Sequence, residues 1–256
     1  MTVATAASPW VRRARPLLGT WVELGVASGG ADTEGALRAG FTAISEVQAC
    51  LSRFEADSDV ARFHALHSGA SMAMRETSHA VLGAAQQLRD ASAGLFDISL
   101  GSATFGWHIE GGRLYKRDNA ARLDLGGIAK GHAVDRAVQA LQAHGCTAGW
   151  VNAGGDLRAF GGADVSVFLR DETRGGSTPF AQLSDGAFAT SHFGPGSRAS
   201  LTGGAGSAPR SGSRPAHVSV AAPLCVWADA LTKLVARSGD AQHPLLRRYD
   251  AVAWLH

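Results

Sequence analysis

At 256 residues and 45% apolar composition, the chain is long enough to bury a substantial core as one globular unit. Its 24 basic and 22 acidic residues are spread along the length and leave a formal charge of +2, which argues against a face committed to nucleic acid or to an anionic membrane. Cys50, Cys146 and Cys225 stand too far apart for a disulfide framework or a close-spaced zinc site. No window approaches a membrane span, and residues 1–13 lack the basic-then-apolar order of a secretory signal, so a cytoplasmic location is expected for the sequence as it stands.

In chain order, Thr20 to Ala27 carries enough alternation to be a strand. Thr33 then caps a helical pattern through Leu37, Phe41, Ile44, Val47, Leu51 and Phe54. Thr77 to Ala93 repeats the helical period, with Gly94 placed to stop it, and Lys130 to His144 is a third helix ended by Gly145. Trp150 to Asn152, Val165 to Leu169, Phe188 to Thr190, Val218 to Ala222 and Ala251 to Leu255 are short apolar runs that suit strands. The segment from Gly194 to Arg214 is rich in glycine and serine and almost free of large apolar side chains, a composition that predicts mobility. Val226 to Arg237 reads as a final helix, with Asp229 and Lys233 one turn apart. Helices and strands mix without strict alternation, so the expected class is α+β, one domain over residues 1–256 with a mainly antiparallel sheet and flanking helices.

The chemistry concentrates in Leu123-Asp124-Leu125-Gly126-Gly127-Ile128-Ala129-Lys130-Gly131-His132, followed by Asn152-Ala153-Gly154-Gly155-Asp156. A carboxylate, two glycines and a lysine at the mouth of a helix allow backbone and cation to approach a pyrophosphate. The same glycines also suit a strand-to-helix turn that needs them for dihedral reasons alone. The run is neither a Walker loop nor a Gly-x-Gly-x-x-Gly fingerprint.

Several motifs together resemble, in order, those of the FAD:protein FMN transferase family, also called the ApbE-like thiamine biosynthesis lipoprotein family. They are Arg15 to Thr20, Leu51-Ser52-Arg53-Phe54, Gly94 to Gly101, Asp124 to Gly131, Asn152 to Asp156, Ala189-Thr190-Ser191 and Ala228-Asp229-Ala230-Leu231. The resemblance implies magnesium-assisted transfer of FMN from FAD to a threonine of an acceptor flavoprotein, with release of AMP, and a periplasmic site in typical relatives. Carried over by position, Leu18, Leu95, Phe96, Asp97, Asp124 and Lys130 would bind FAD, while Gly127, Asp229 and Thr232 would hold Mg2+. Phe96 is equally suited to being a core residue.

The sequence departs from the family pattern at two places. Lys233 stands where a second metal-binding hydroxyl is usual, leaving two readings: an exposed helical ion pair with Asp229, or an ammonium that replaces the metal. The family's His-Ile-Ile-Asp-Pro-x-Thr-Gly motif aligns with Ala205 to Gly212, so that its histidine and aspartate become Ala205 and Ala208. His192, after Thr190-Ser191, is the speculative substitute base. A catalytically impaired flavin-binding or flavoprotein-partner protein therefore stands as the alternative to the transferase, with FAD hydrolysis to FMN and AMP a weaker third.

Overall fold

The computed structural model describes residues 10–29, 32–170, 175–193 and 217–256. Along the chain a hairpin of β1 (Trp10–Leu17) and β2 (Thr20–Ala27) leads into α1 (Thr33–Leu51), α2 (Asp59–Ala65), β3 (Ser71–Ala73) and α3 (Glu76–Ala91). The hairpin β4 (Trp107–Glu110) and β5 (Arg113–Lys116) precedes α4 (Ala129–Ala143), β6 (Gly149–Ala153), β7 (Asp156–Phe160), β8 (Val165–Arg170) and β9 (Ser177–Leu183). Then come β10 (Gly186–His192), β11 (His217–Ala222), α5 (Cys225–Ser238), α6 (Leu245–Arg248) and β12 (Val252–Leu255). The main sheet has seven strands in the order β1-β2-β6-β7-β10-β11-β12, every neighbouring pair antiparallel. A three-stranded sheet, β3-β5-β4, and the β8-β9 hairpin complete the α+β domain expected from the sequence.

The pleat of the main sheet sorts its side chains between two layers. On one face Val22, Leu24, Val151, Ala187 and Ala189 pack against α1, α4 and α5 in the larger core. On the other, Trp150, Leu157, Ala159 and Phe188 are covered by Val167 and Phe180 of the β8-β9 hairpin. Two of the predicted boundaries move for local reasons. Asp32, not Thr33, caps α1, accepting from the Gly35 amide at 2.8 Å. The helix stops at Leu51 because Ser52 turns extended and its hydroxyl accepts from the Phe54 amide, leaving Phe54 84% exposed. The Gly194 to Arg214 segment, with Ala205 and Ala208, lies outside the described residues.

Helices α4 and α5 start without a side-chain cap of their own, and each supplies the other's. Asp229 of α5 accepts from the Gly131 amide in the first turn of α4 at 3.1 Å. Asp135 of α4 accepts from the amides of Cys225 and Val226, the first residues of α5, at 3.0 and 2.9 Å. This satisfies orphan amides that helix starts always carry. It also needs close approach: a β-carbon on Gly131 would collide with the Cys225 carbonyl and come within 2.9 Å of Asp229 Cβ.

Asp135 is further held by Arg158 of β7 at 2.7 Å, in a buried pair. Replacing it, Asp135→Ala, strands that guanidinium and uncaps α5, so unfolding in urea should show a loss of about 3 to 5 kcal/mol. His132 is also buried, its Nε2 has no hydrogen-bond partner, and burial together with Arg136 pushes the imidazole from 6.5 down to about 4. The unfolded chain therefore takes up the proton first as pH falls. Stability from this source is complete above about pH 6.5 and declines toward pH 4 by about 3 kcal/mol. Urea midpoints measured across that range should fall less steeply in His132→Leu than in the parent.

Candidate functional site

The segment entering α4 is pinned from several sides. His64 Nε2 accepts from the Leu123 amide at 2.8 Å, and the Asp124 amide donates to the Ile98 carbonyl at 2.7 Å. The Asp124 carboxylate then takes the Gly126 amide on Oδ1 at 2.8 Å and Arg53 Nη1 on Oδ2 at 2.9 Å. Arg53, just beyond α1, lies beside the exposed Phe54 ring. Together these residues border a cleft of about 470 Å3 whose lining includes Leu18, Leu51, Arg53, Phe54, Asp124 and Lys130. Leu18 reaches it from the β1-β2 turn with φ +55°, held there because its amide donates to Gln48 Oε1 at 2.7 Å.

Behind the cleft lies a charged cluster. Lys130 pairs with Asp156 of β7, which is buried, while the lysine is partly open to the cleft. Asp229 is fully buried and pairs with Lys233. The Lys233 ammonium also donates to Ser191 Oγ of β10 at 2.9 Å and to the Asp229 carbonyl at 3.1 Å. Ser191 and Thr232 share a hydrogen bond at 2.8 Å, and the Thr232 hydroxyl donates to the Asp229 carbonyl at 2.7 Å. Burial pulls the Lys130 pKa down, but Asp156 and Asp229 more than offset it and hold it above the ordinary lysine value. Burial alone would raise the Asp229 carboxyl; Lys130 and Lys233 override it and hold it below the usual carboxylate range. Asp156 goes the other way, raised by burial and by the negative charge of Asp229.

Of the three residues expected to hold a metal, Asp229 and Thr232 are joined by a hydrogen bond, and Lys233 lies against both Asp229 and Gly127. Besides its bonds to Asp229, its aliphatic stem packs tightly against Gly127, 3.2 Å from where a β-carbon would stand. Among the described residues no group of three or more His, Cys, Asp or Glu side chains is placed to hold a metal ion. The exposed ion pair considered for Asp229 and Lys233 is a buried one, with the Lys233 side chain only 13% exposed.

Of the expected flavin ligands, Leu18, Asp124 and Lys130 share the cleft. Leu95, Phe96 and Asp97 are not among its lining: Leu95 is half-buried against the core and Phe96 is buried within it. The Asp97 carboxylate is turned onto its own loop, accepting from the Ser99 amide and hydroxyl, the Gly101 amide and the Thr104 hydroxyl at 2.7 to 3.0 Å. His192 is not brought to the charged cluster. The alternation of β10 sends Ser191 toward α5 and His192 to the opposite face, where its ring stacks on His217 at 4.6 Å. Asp156, Arg53 and Ser191 belong to motifs noted in the sequence but were assigned no role. The lysine-aspartate pairing of α4 with β7 needs tertiary contact to be seen, and spacing carries no sign of it.

The family model described as the ApbE family matches residues 18–253. The fold is similar to a flavin transferase ApbE from Vibrio cholerae at TM-score 0.80 and 20% identity, over 96% of this chain and 93% of that one. It is also similar to an apo flavinyl transferase ApbE from Pseudomonas stutzeri at TM-score 0.72 and 23% identity, over 88% and 83%. An ApbE protein from Thermotoga maritima aligns at TM-score 0.76 and 20% identity, over 93% and 89%. No curated protein matches the sequence. With the family model spanning nearly the whole described domain and the fold agreeing along its length, the chain belongs to the ApbE family.

Proposed function

We propose that this protein is a flavin transferase that binds FAD in the cleft beside Asp124 and moves FMN onto a threonine hydroxyl of an acceptor flavoprotein. The observation that carries the reading is the cleft itself, shared by Arg53, Asp124 and Lys130 at the mouth of α4. Its volume suits a small-molecule site. The two cations and the start of α4 answer the charge of a diphosphate, and Leu18, Leu51 and Phe54 offer apolar surface to a ring. Family membership and the likeness to the flavin transferases of Vibrio cholerae and Pseudomonas stutzeri support the same chemistry.

In the proposed reaction the acceptor oxygen forms a bond to the phosphorus of the FMN half. The bridging P–O bond breaks, its electron pair leaves with AMP, and the hydroxyl proton passes to solvent. Protein groups act by position and charge, as is usual for phosphoryl transfer. Asp124, held by Arg53 and the Gly126 amide, keeps the turn and the guanidinium in place. Lys130, fixed by Asp156, presents fixed positive charge to the diphosphate.

The magnesium that the resemblance implies does not fit the residues present. A dication about 4 Å from the Lys233 ammonium would be disfavoured by about 8 kcal/mol at an effective dielectric near 20. Because the charge of Asp229 is already met by Lys233, flavin binding without turnover is the second reading.

Incubation with FAD and a threonine-bearing acceptor should yield a fluorescent covalent band on a denaturing gel and one AMP per flavin transferred. Bound FAD with neither product would establish the binding-only reading, and no binding at about 1 mM FAD, the limit of about 4 kcal/mol of affinity, would reject both. Arg53→Ala, which removes a half-exposed side chain, should weaken FAD at least about tenfold in a fluorescence titration without loss of folding.

A further inference from the structure

Lys233 sits in a cage that a hard cation would choose. Its ammonium is surrounded by a carboxylate oxygen and the backbone carbonyl of Asp229 and by the hydroxyl of Ser191, with the Thr232 hydroxyl bonded to both of those residues. Oxygen donors of these three kinds are the set that magnesium or manganese prefers. The lysine reaches the cage from within α5, one turn from Asp229, and its stem fills the room that Gly127 leaves. Nothing about this position is that of a solvated surface side chain: Asp229 is fully buried and the lysine nearly so.

We propose that the Lys233 ammonium is a tethered substitute for a divalent cation, so that this site takes the diphosphate of its ligand without a metal ion. The proposal rests on the flavin reading above for the identity of that ligand, but not for the state of the cage. A lysine delivers one positive charge at fixed stoichiometry and donates hydrogen bonds in place of coordination. It organises Asp229, Ser191 and Thr232 as an ion would, and it cannot be removed by a chelator. In the cleft lining itself the positive charge comes from Lys130 and Arg53, with Lys233 lying outside it.

Two measurements on the full chain test this. In the first, Mn2+ binding is followed by electron paramagnetic resonance in the parent, in Lys233→Thr and in Asp229→Asn. The parent should bind Mn2+ at least about tenfold more weakly than Lys233→Thr, whose cage is vacated for an oxygen ligand. Equal affinity in the two, or tight equimolar binding by the parent that disappears in Asp229→Asn, would overturn the proposal. Lys233→Gln, which keeps the stem over Gly127, replaces Lys233→Thr if circular dichroism shows the latter to be unfolded.

In the second, FAD affinity of the parent is compared by flavin fluorescence in EDTA and in millimolar magnesium. The two values should agree within about twofold; a gain of more than about tenfold with magnesium would count against the proposal. Failure to bind FAD in either buffer would remove the flavin reading and the ligand named here, whereas the manganese comparison judges Lys233 by itself.

Discussion

The close contact between α4 and α5 at Gly131 is the constraint from which the rest of the site follows. Two helices that lack caps of their own are brought near enough for each to place an aspartate on the other's first turn. That exchange fixes their relative position along both axes. It also explains why Asp135 and Asp229 are buried although neither is a typical interior residue. Any side chain at Gly131 would push the two helices apart and break both caps together.

With the helices registered, the strands beneath supply the opposite charges. Asp156 and Arg158 are two apart on β7 and so project from the same face, where they meet Lys130 and Asp135 of α4. Ser191 of β10 gives Lys233 of α5 a neutral hydroxyl as acceptor. Buried ion pairs add little net stability compared with apolar packing, because desolvation cancels much of the attraction. Their consequence here is positional: each pair ties a helix to one strand at one register, and Lys130 is left with its ammonium at the back of the cleft. The interior thus positions Lys130, while Asp124 and Arg53, bonded to each other, line the same cleft.

Elements with a clean period were legible in the sequence to within a few residues: β2, α3, α4, α5 and the central strands all run close to their predicted bounds. Not read from the sequence were β1, α2, β3, β4, β5, β7, β9 and α6, and in two of these the cause is charge. In β1 the edge position is blunted by Arg12, Arg13 and Arg15, and in β7 Asp156 and Arg158 stand where apolar residues would have marked a buried strand. A charge that is neutralised by a distant helix cannot be distinguished in sequence from one that faces water. The same limit applies to the site. Asp124 and Lys130, singled out by their motif, line the cleft, but spacing alone could not tell that Asp97 serves its own loop or that β10 turns His192 away.

The glycines of the central motif serve packing more than backbone freedom. Neither Gly126 nor Gly127 adopts a positive φ, so the turn does not need them for backbone freedom. The hairpin between β6 and β7 does have that need, with Gly154 at φ +63° and Gly155 at φ +103°. Gly127 is instead open on the side where the Lys233 stem lies, and Gly131 on the side where α5 passes. Both therefore answer to packing within the chain, and a glycine-rich turn of this kind is not by itself a sign of a phosphate ligand. The cleft owes its character instead to the meeting of two cations and an apolar wall, while the close approach of α5 that Gly131 permits lets Asp229 cap α4.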